Sequence, residues 1–230
     1  MKSLQELIAE APSAAAKPRV TPIREHSPRK VTPTELSIHN EQIEALVQQL
    51  FFRHEMGPVR HVGFAPVEPS MSTAQLCFDV AKTLAQEEGC EVGLVDASSE
   101  SQVLQTQLQI PPPTHELPTW AIAPRLWMVP RHSWLGDIKG QRITEHHLSR
   151  LRELTAEFDF SILWCPPVSW LTASIGQACD GLVLVLTANK TRRLVAAQIK
   201  DQLRRAQIPL LGTVLAERQF PIPQGLYRSL

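Results

Sequence analysis

An α/β domain, with a parallel sheet flanked by helices on both faces, is the fold that this sequence predicts. Three observations carry it. Short apolar runs bounded by turn residues alternate with amphipathic helical stretches from about residue 58 to residue 217. The apolar runs are nearly continuous rather than alternating, as in strands buried on both faces. The chain of 230 residues is long enough for one such domain with a full core and some extra.

The elements follow in order. Residues 1–36 read as a disordered tail. "APSAAAKPRVTPIREHSPRKVTPTE" mixes proline, alanine, serine and basic residues without apolar periodicity, too little apolar surface to offset the entropy of ordering. Its basic residues are Lys17, Arg19, Arg24, Arg29 and Lys30. Residues 37–230 form the domain. Its N-terminal helix, 37–57, spaces Ile43, Leu46, Val47 and Leu50 on one side and ends in Phe51 and Phe52. That apolar side serves either the core or self-association. "VRHVGFAP" is then a strand, and "STAQLCFDVAKTLAQEEG" a helix closed by Gly89. "CEVGLVDAS" is a second strand and "RLWMVP", after a proline-rich loop, a third. "TEHHLSRLRELTAEF" is a helix, "FSILWCPPV" a strand, "WLTASIGQAC" a helix and "DGLVLVLTA" a strand. "TRRLVAAQIKDQLRRAQ" is a helix and "PLLGTVLAER" the last strand, leaving 218–230 as a C-terminal tail. In such folds ligands sit outside the carboxyl ends of the strands.

Several function classes are disfavoured. Formal net charge is zero, so the field of the whole protein favours neither nucleic acid nor an anionic membrane. Cys77, Cys90, Cys165 and Cys179 form no C-x-x-C pair and read as buried thiols of a reducing cytoplasm. His146 and His147 lack partners at a ligand spacing, so no metal site is expected. No apolar stretch is long enough to span a membrane, and the N-terminus lacks the apolar core of a signal peptide. The five tryptophans are read as core filling.

The turn "VEPSMST" and the strand ends after it carry a resemblance. "MST" at 71–73, "GLVDAS" at 93–98, "EFDFSILWCPPV" at 157–168 and "ACDGLVLVLTANKTRR" at 178–193 occur in order. In order and spacing they are similar to the cytoplasmic ATPase domain of the bacterial tyrosine kinases that control capsular and exopolysaccharide synthesis. "LLGTVLAER" and "FPIPQGLYRSL" add to the likeness, which covers roughly residues 40–230. It implies a P-loop NTPase-like fold of the deviant-Walker type, with ATP and Mg²⁺ as the cofactors of active members.

The departures bear on activity. A phosphate loop needs glycines, a lysine and a hydroxyl for Mg²⁺ backed by a carboxylate. Here Glu68 and Ser70 stand at glycine positions, and Pro69 has no N–H. Met71 stands at the lysine position and Trp164 at the Walker B aspartate, with Cys165 after it. Of the cofactor-binding residues only Ser72, Thr73 and Asp96 remain; they are vestiges of a phosphate site or simply helix-cap and turn residues. Autophosphorylating relatives carry clustered tyrosines, whereas this chain has only Tyr227. The helix that carries a Glu/Arg pattern for ring assembly in the family has Glu41 and Glu44 without the arginines, so a homo-oligomer would use another surface, such as Leu46, Leu50 and Phe51.

The resemblance thus implies a catalytically degenerate tyrosine-kinase-like protein, with no catalytic residue and no bound cofactor. It would be a cytoplasmic regulatory or interaction module in exopolysaccharide synthesis or export. Its partner would be a membrane polysaccharide chain-length regulator, or an active kinase of the same fold, and a partner of the first kind would hold it at the inner face of the membrane. The alternatives are an active kinase with an unusual loop, using charge from Lys190 or Arg192, and a degenerate positioning ATPase of the partitioning or cellulose-synthesis type.

Overall fold

The structure, a computed structural model, describes residues 33–52, 58–69, 72–98, 103–113, 117–136 and 143–217. Most of the expected tail 1–36, all of the tail 218–230, and Ser70 and Met71 lie outside these residues. Of residues 1–36, only the start of the first helix is described.

Seven strands form one sheet in the order β3-β4-β2-β5-β1-β6-β7. They are β1 (His61–Pro66), β2 (Val92–Asp96), β3 (Trp120–Ala123), β4 (Leu126–Val129), β5 (Phe160–Trp164), β6 (Gly181–Thr187) and β7 (Leu210–Ala216). All neighbours pair parallel except β3 with β4. The antiparallel β3 is a four-residue edge strand inside the stretch read as a proline-rich loop. Its length and the prolines on either side of it, Pro118 and Pro124, hide it from pattern reading, and an edge position tolerates so short a strand.

The crossovers dictate where the helices lie. From β1 the chain moves to β2 through α2 (Ser72–Glu87) and on towards β4 through α3 (Val103–Leu108). It then returns in the opposite direction through α4 (Arg131–Leu135), α5 (Glu145–Thr155), α6 (Trp170–Gly176) and α7 (Arg193–Arg205). Right-handed crossovers in opposite directions put these two sets on opposite faces. Burial agrees. Val62, Phe64, Leu94, Ile162 and Val183 pack with Ala74, Cys77 and Leu84 of α2. Ala65, Val95, Leu163 and Leu184, on the other face, pack with Leu151, Ile175 and Leu203 of α5, α6 and α7. Gly89, at φ +67°, closes the end of α2. Asp180 ties the amino edge together, its Oδ2 accepting the N–H groups of Arg60 at 2.7 Å and His61 at 2.8 Å.

The N-terminal helix differs from its expected form. It runs as α1 (Pro33–Val47) and then passes into a π-helical turn at Gln48–Phe52. Ile43, Val47, Leu50 and Phe51 enter the core beside α2, and Leu46 packs against it. Phe51 meets Phe160 edge to face at 5.3 Å. The oligomer surface expected at Leu46, Leu50 and Phe51 is therefore corrected: these side chains are committed to the fold.

The tryptophans also divide. Trp134 and Trp164 are buried, Trp120 and Trp127 half-buried, and Trp170 is 61% exposed, so it fills no core. Cys77 and Cys165 are buried and all four thiols are free; burial pushes the first two well up and Cys179 up to about 12. None of these three is a thiolate at neutral pH.

Candidate functional site

Reversal of chain direction beside β1 creates a crevice at the carboxyl ends of β1, β2 and β5, where α2 begins. The sequence-predicted residues converge there. Asp96 ends β2 and Trp164 ends β5, and they are direct partners across the two strands. Trp164 is also the partner of Phe64 in β1. Side chains of directly opposed residues share a face of the sheet, here the face covered by α2. Ser72 and Thr73 form the first turn of α2 above them.

The polar side-chain atoms at these strand ends are largely buried. Trp164 is only 6% exposed and packs in the α2-side core. Among the described residues, Trp164 Nε1, Asp96 Oδ2 and Thr73 Oγ1 are buried without a hydrogen-bond partner. Asp96 Oδ1 accepts the Ser98 N–H at 3.0 Å, a local turn of the kind expected of a strand-end aspartate. Burial raises the Asp96 pKa, opposed by hydrogen bonds from Ser98 and Leu104 and by the nearby Arg131 guanidinium.

Asp96 therefore makes a prediction. A carboxyl whose folded pKa is raised favours the native state below its unfolded pKa, and that contribution is lost as pH rises through the folded value. Asp96→Asn keeps an acceptor for Ser98 and removes the titration. The variant should gain stability relative to the parent as pH rises from about 4 to 7. Thermal unfolding across that range measures it, and parallel curves for the two proteins would contradict it.

Among the described residues of the loop, two positions offer no backbone N–H to an anion. Pro69 has no N–H, and the Val67 N–H is committed to Val185 O at 3.0 Å. Ser72 Oγ donates to Glu217 Oε1 at 3.1 Å, and the other oxygen of Glu217 accepts from Lys190 Nζ at 3.3 Å. The structure thus brings Lys190 to the loop, as one alternative required, but with its charge shared by a carboxylate. Arg192 is exposed. Glu217 is the residue that sequence reading missed; it stands in the stretch "LLGTVLAER" but was singled out for no role, and it lies 145 positions from Ser72. Trp164 places an indole at the end of β5, and Glu68 and Glu217 place carboxylates at the described part of the loop.

Among the described residues no three or more histidine, cysteine, aspartate or glutamate side chains cluster as a metal site. His147 instead caps a helix, its Nδ1 accepting the Thr144 N–H at 3.1 Å at the start of α5.

No family model matches the sequence, and no curated protein does. Solved structures do match. The VpsO kinase domain superposes with a TM-score of 0.62 at 14% identity, over 82% of this chain and all (100%) of that one. The kinase domain of the Escherichia coli tyrosine kinase ETK gives 0.61 at 14% identity, over 88% of each chain. A ParA family ATPase from Chlorobium tepidum gives 0.55 at 16% identity, over 68% of this chain and 73% of that one. With its mostly parallel seven-stranded sheet and its crevice at the start of α2, the chain has the P-loop ATPase-type α/β fold of the bacterial tyrosine kinase domains.

Proposed function

We propose that this protein is a catalytically degenerate relative of the bacterial tyrosine kinases, working as a cytoplasmic regulatory or interaction module in exopolysaccharide synthesis or export. The observation that carries the reading is Trp164. An indole buried in the core at the end of β5, opposite Asp96, is incompatible with a carboxylate-supported metal at that strand end. Phosphoryl transfer depends on positive charge and metal stabilising the transferring group, so its loss removes the chemistry and leaves the surface. Partnership with a membrane chain-length regulator, or with an active kinase of the same fold, would use that surface. No helix among the described residues is long and apolar enough to cross a membrane, and a chain-length regulator as partner would hold the protein at the inner membrane face.

Co-expression tests this. The full chain is expressed with a chain-length regulator, and separately with an active kinase of this fold, and each complex is purified. The expected result is a stable complex with one of them and no phosphate on Tyr227 when the chain is incubated alone with ATP-Mg²⁺. Autophosphorylation at Tyr227, or failure to bind either protein, would overturn the proposal.

A further inference from the structure

Five large apolar side chains of the described residues stand out of the surface, and three of them gather at one edge. Trp170 is the first residue of α6 and Leu194 lies in the first turn of α7. They are 61% and 70% exposed. Both helices follow directly on parallel strands and cover the same face of the sheet, so their first turns share its carboxyl edge. Helices packed side by side on a sheet lie about 10 Å apart, which brings the two side chains onto one rim. Leu215 is also exposed, near the end of β7, and is the strand partner of Leu186 on that face.

The same rim is basic. Lys190, Arg192 and Arg193 lie between β6 and the first turn of α7. Lys190 is paired with Glu217, whereas Arg192 and Arg193 are exposed and carry no ion pair among the described residues. Lys200 and Arg204 continue the line of Arg193 along α7, at spacings of seven and four that keep one helix face; Asp201 is the single acidic residue of that helix. Net charge is zero over the whole chain, so this positive edge is a local asymmetry.

We propose that this rim docks directly on an anionic lipid bilayer, with Trp170 and Leu194 inserting at the headgroup level and Arg192 and Arg193 meeting lipid phosphates. The pairing of separated apolar protrusions with cations is what an interfacial anchor requires: an indole favours the headgroup zone, and arginines gain from the negative surface potential. The protrusions stand on different elements, α6, α7 and β7, and the polar residues Ser169, Asn189 and Thr191 adjoin the first two in sequence. That suits side chains entering a fluid surface one by one better than a packed protein interface. The inference is independent of the functional reading above.

Co-sedimentation of the full chain with phosphatidylcholine vesicles, with and without phosphatidylglycerol, tests it. Binding should require phosphatidylglycerol and weaken as salt rises. Arg192→Glu with Arg193→Glu should weaken it by about tenfold or more, and Trp170→Ser with Leu194→Ser comparably. All four side chains are exposed, so unchanged thermal unfolding is the control that the variants fold. Brominated lipid should quench tryptophan fluorescence in the parent and lose most of that quenching in Trp170→Phe. Replacing Lys17, Arg19, Arg24, Arg29 and Lys30 by glutamine should leave the dependence on the rim intact. Absence of binding, or binding indifferent to both rim variants, would overturn the proposal. So would binding to polyglutamate but not to vesicles, which would assign the rim to an acidic protein.

Discussion

Phe51→Ala is expected to lower stability by about 3–5 kcal/mol, the usual cost of truncating a buried aromatic. Phe51 is 6% exposed, sits in the core beside α2 and packs edge to face on Phe160. The neighbouring Phe52 is 44% exposed and touches the same ring at 5.8 Å, so Phe52→Ala should cost about 1 kcal/mol. Urea titration measures both, as a shift in midpoint with little change in slope. The contrast decides the role of the N-terminal helix. A small effect of Phe51→Ala on the monomer, accompanied by loss of self-association, would return that side chain to an interface and contradict its place in the core.

Trp164→Asp, which places a carboxylate at the end of β5, is expected to damage the protein rather than to create ATP hydrolysis. Two costs add. Removing the indole empties a volume packed against Phe64 and Ile162, and the new carboxylate is buried opposite Asp96. The sum is about 4 kcal/mol or more, a large share of a domain's stability. Lowering pH should recover part of it, because two opposed buried carboxyls cannot both ionise. ATP hydrolysis should remain at background, since Pro69 and Glu217 still face the loop. A folded, ATP-hydrolysing Trp164→Asp would show that a single residue separates this chain from activity.

Long apolar strands were the legible part of the fold. β1, β2, β5, β6 and β7 each hold at least five residues, and α2, α5 and α7 each close at least three turns, so their periods exceed the noise of composition. The six-residue α3, the five-residue α4 and the four-residue β3 fall below that length and depend on tertiary contacts. The π-helical turn at Gln48–Phe52 was invisible because its residues are ordinary helix and core formers. Trp127 shows a different limit. Its place in the sequence suggests the carboxyl edge, yet it pairs with Gly93 in the first half of β2 and donates its Nε1–H to Glu91 at 2.7 Å.

The candidate site was legible where it depends on strand ends. Asp96 and Trp164 each close a readable strand, and the α/β rule brings parallel strand ends together. What sequence could not show is pairing across distant segments. The link from Ser72 through Glu217 to Lys190 joins the ends of β6 and β7 to the start of α2. Nothing local marks Glu217 for that role. The exposure of Trp170 was hidden for the same reason: it adjoins the buried Leu171, and only the packing of α6 decides which of the two faces out.

Calorimetric titration of the full chain with ATP in the presence of Mg²⁺ tests the central claim most directly. On the proposed reading, a loop with Met71 in place of a lysine, with Pro69 in it, with Glu68 and Glu217 nearby and with Trp164 in place of a metal-supporting carboxylate would lack several charged hydrogen bonds. Each of these is worth about 1.5–3 kcal/mol. The expected result is no saturable heat at millimolar ATP, with or without Mg²⁺. Saturable binding tighter than about 100 μM, roughly −5.5 kcal/mol, would contradict the account and restore this crevice as a nucleotide site.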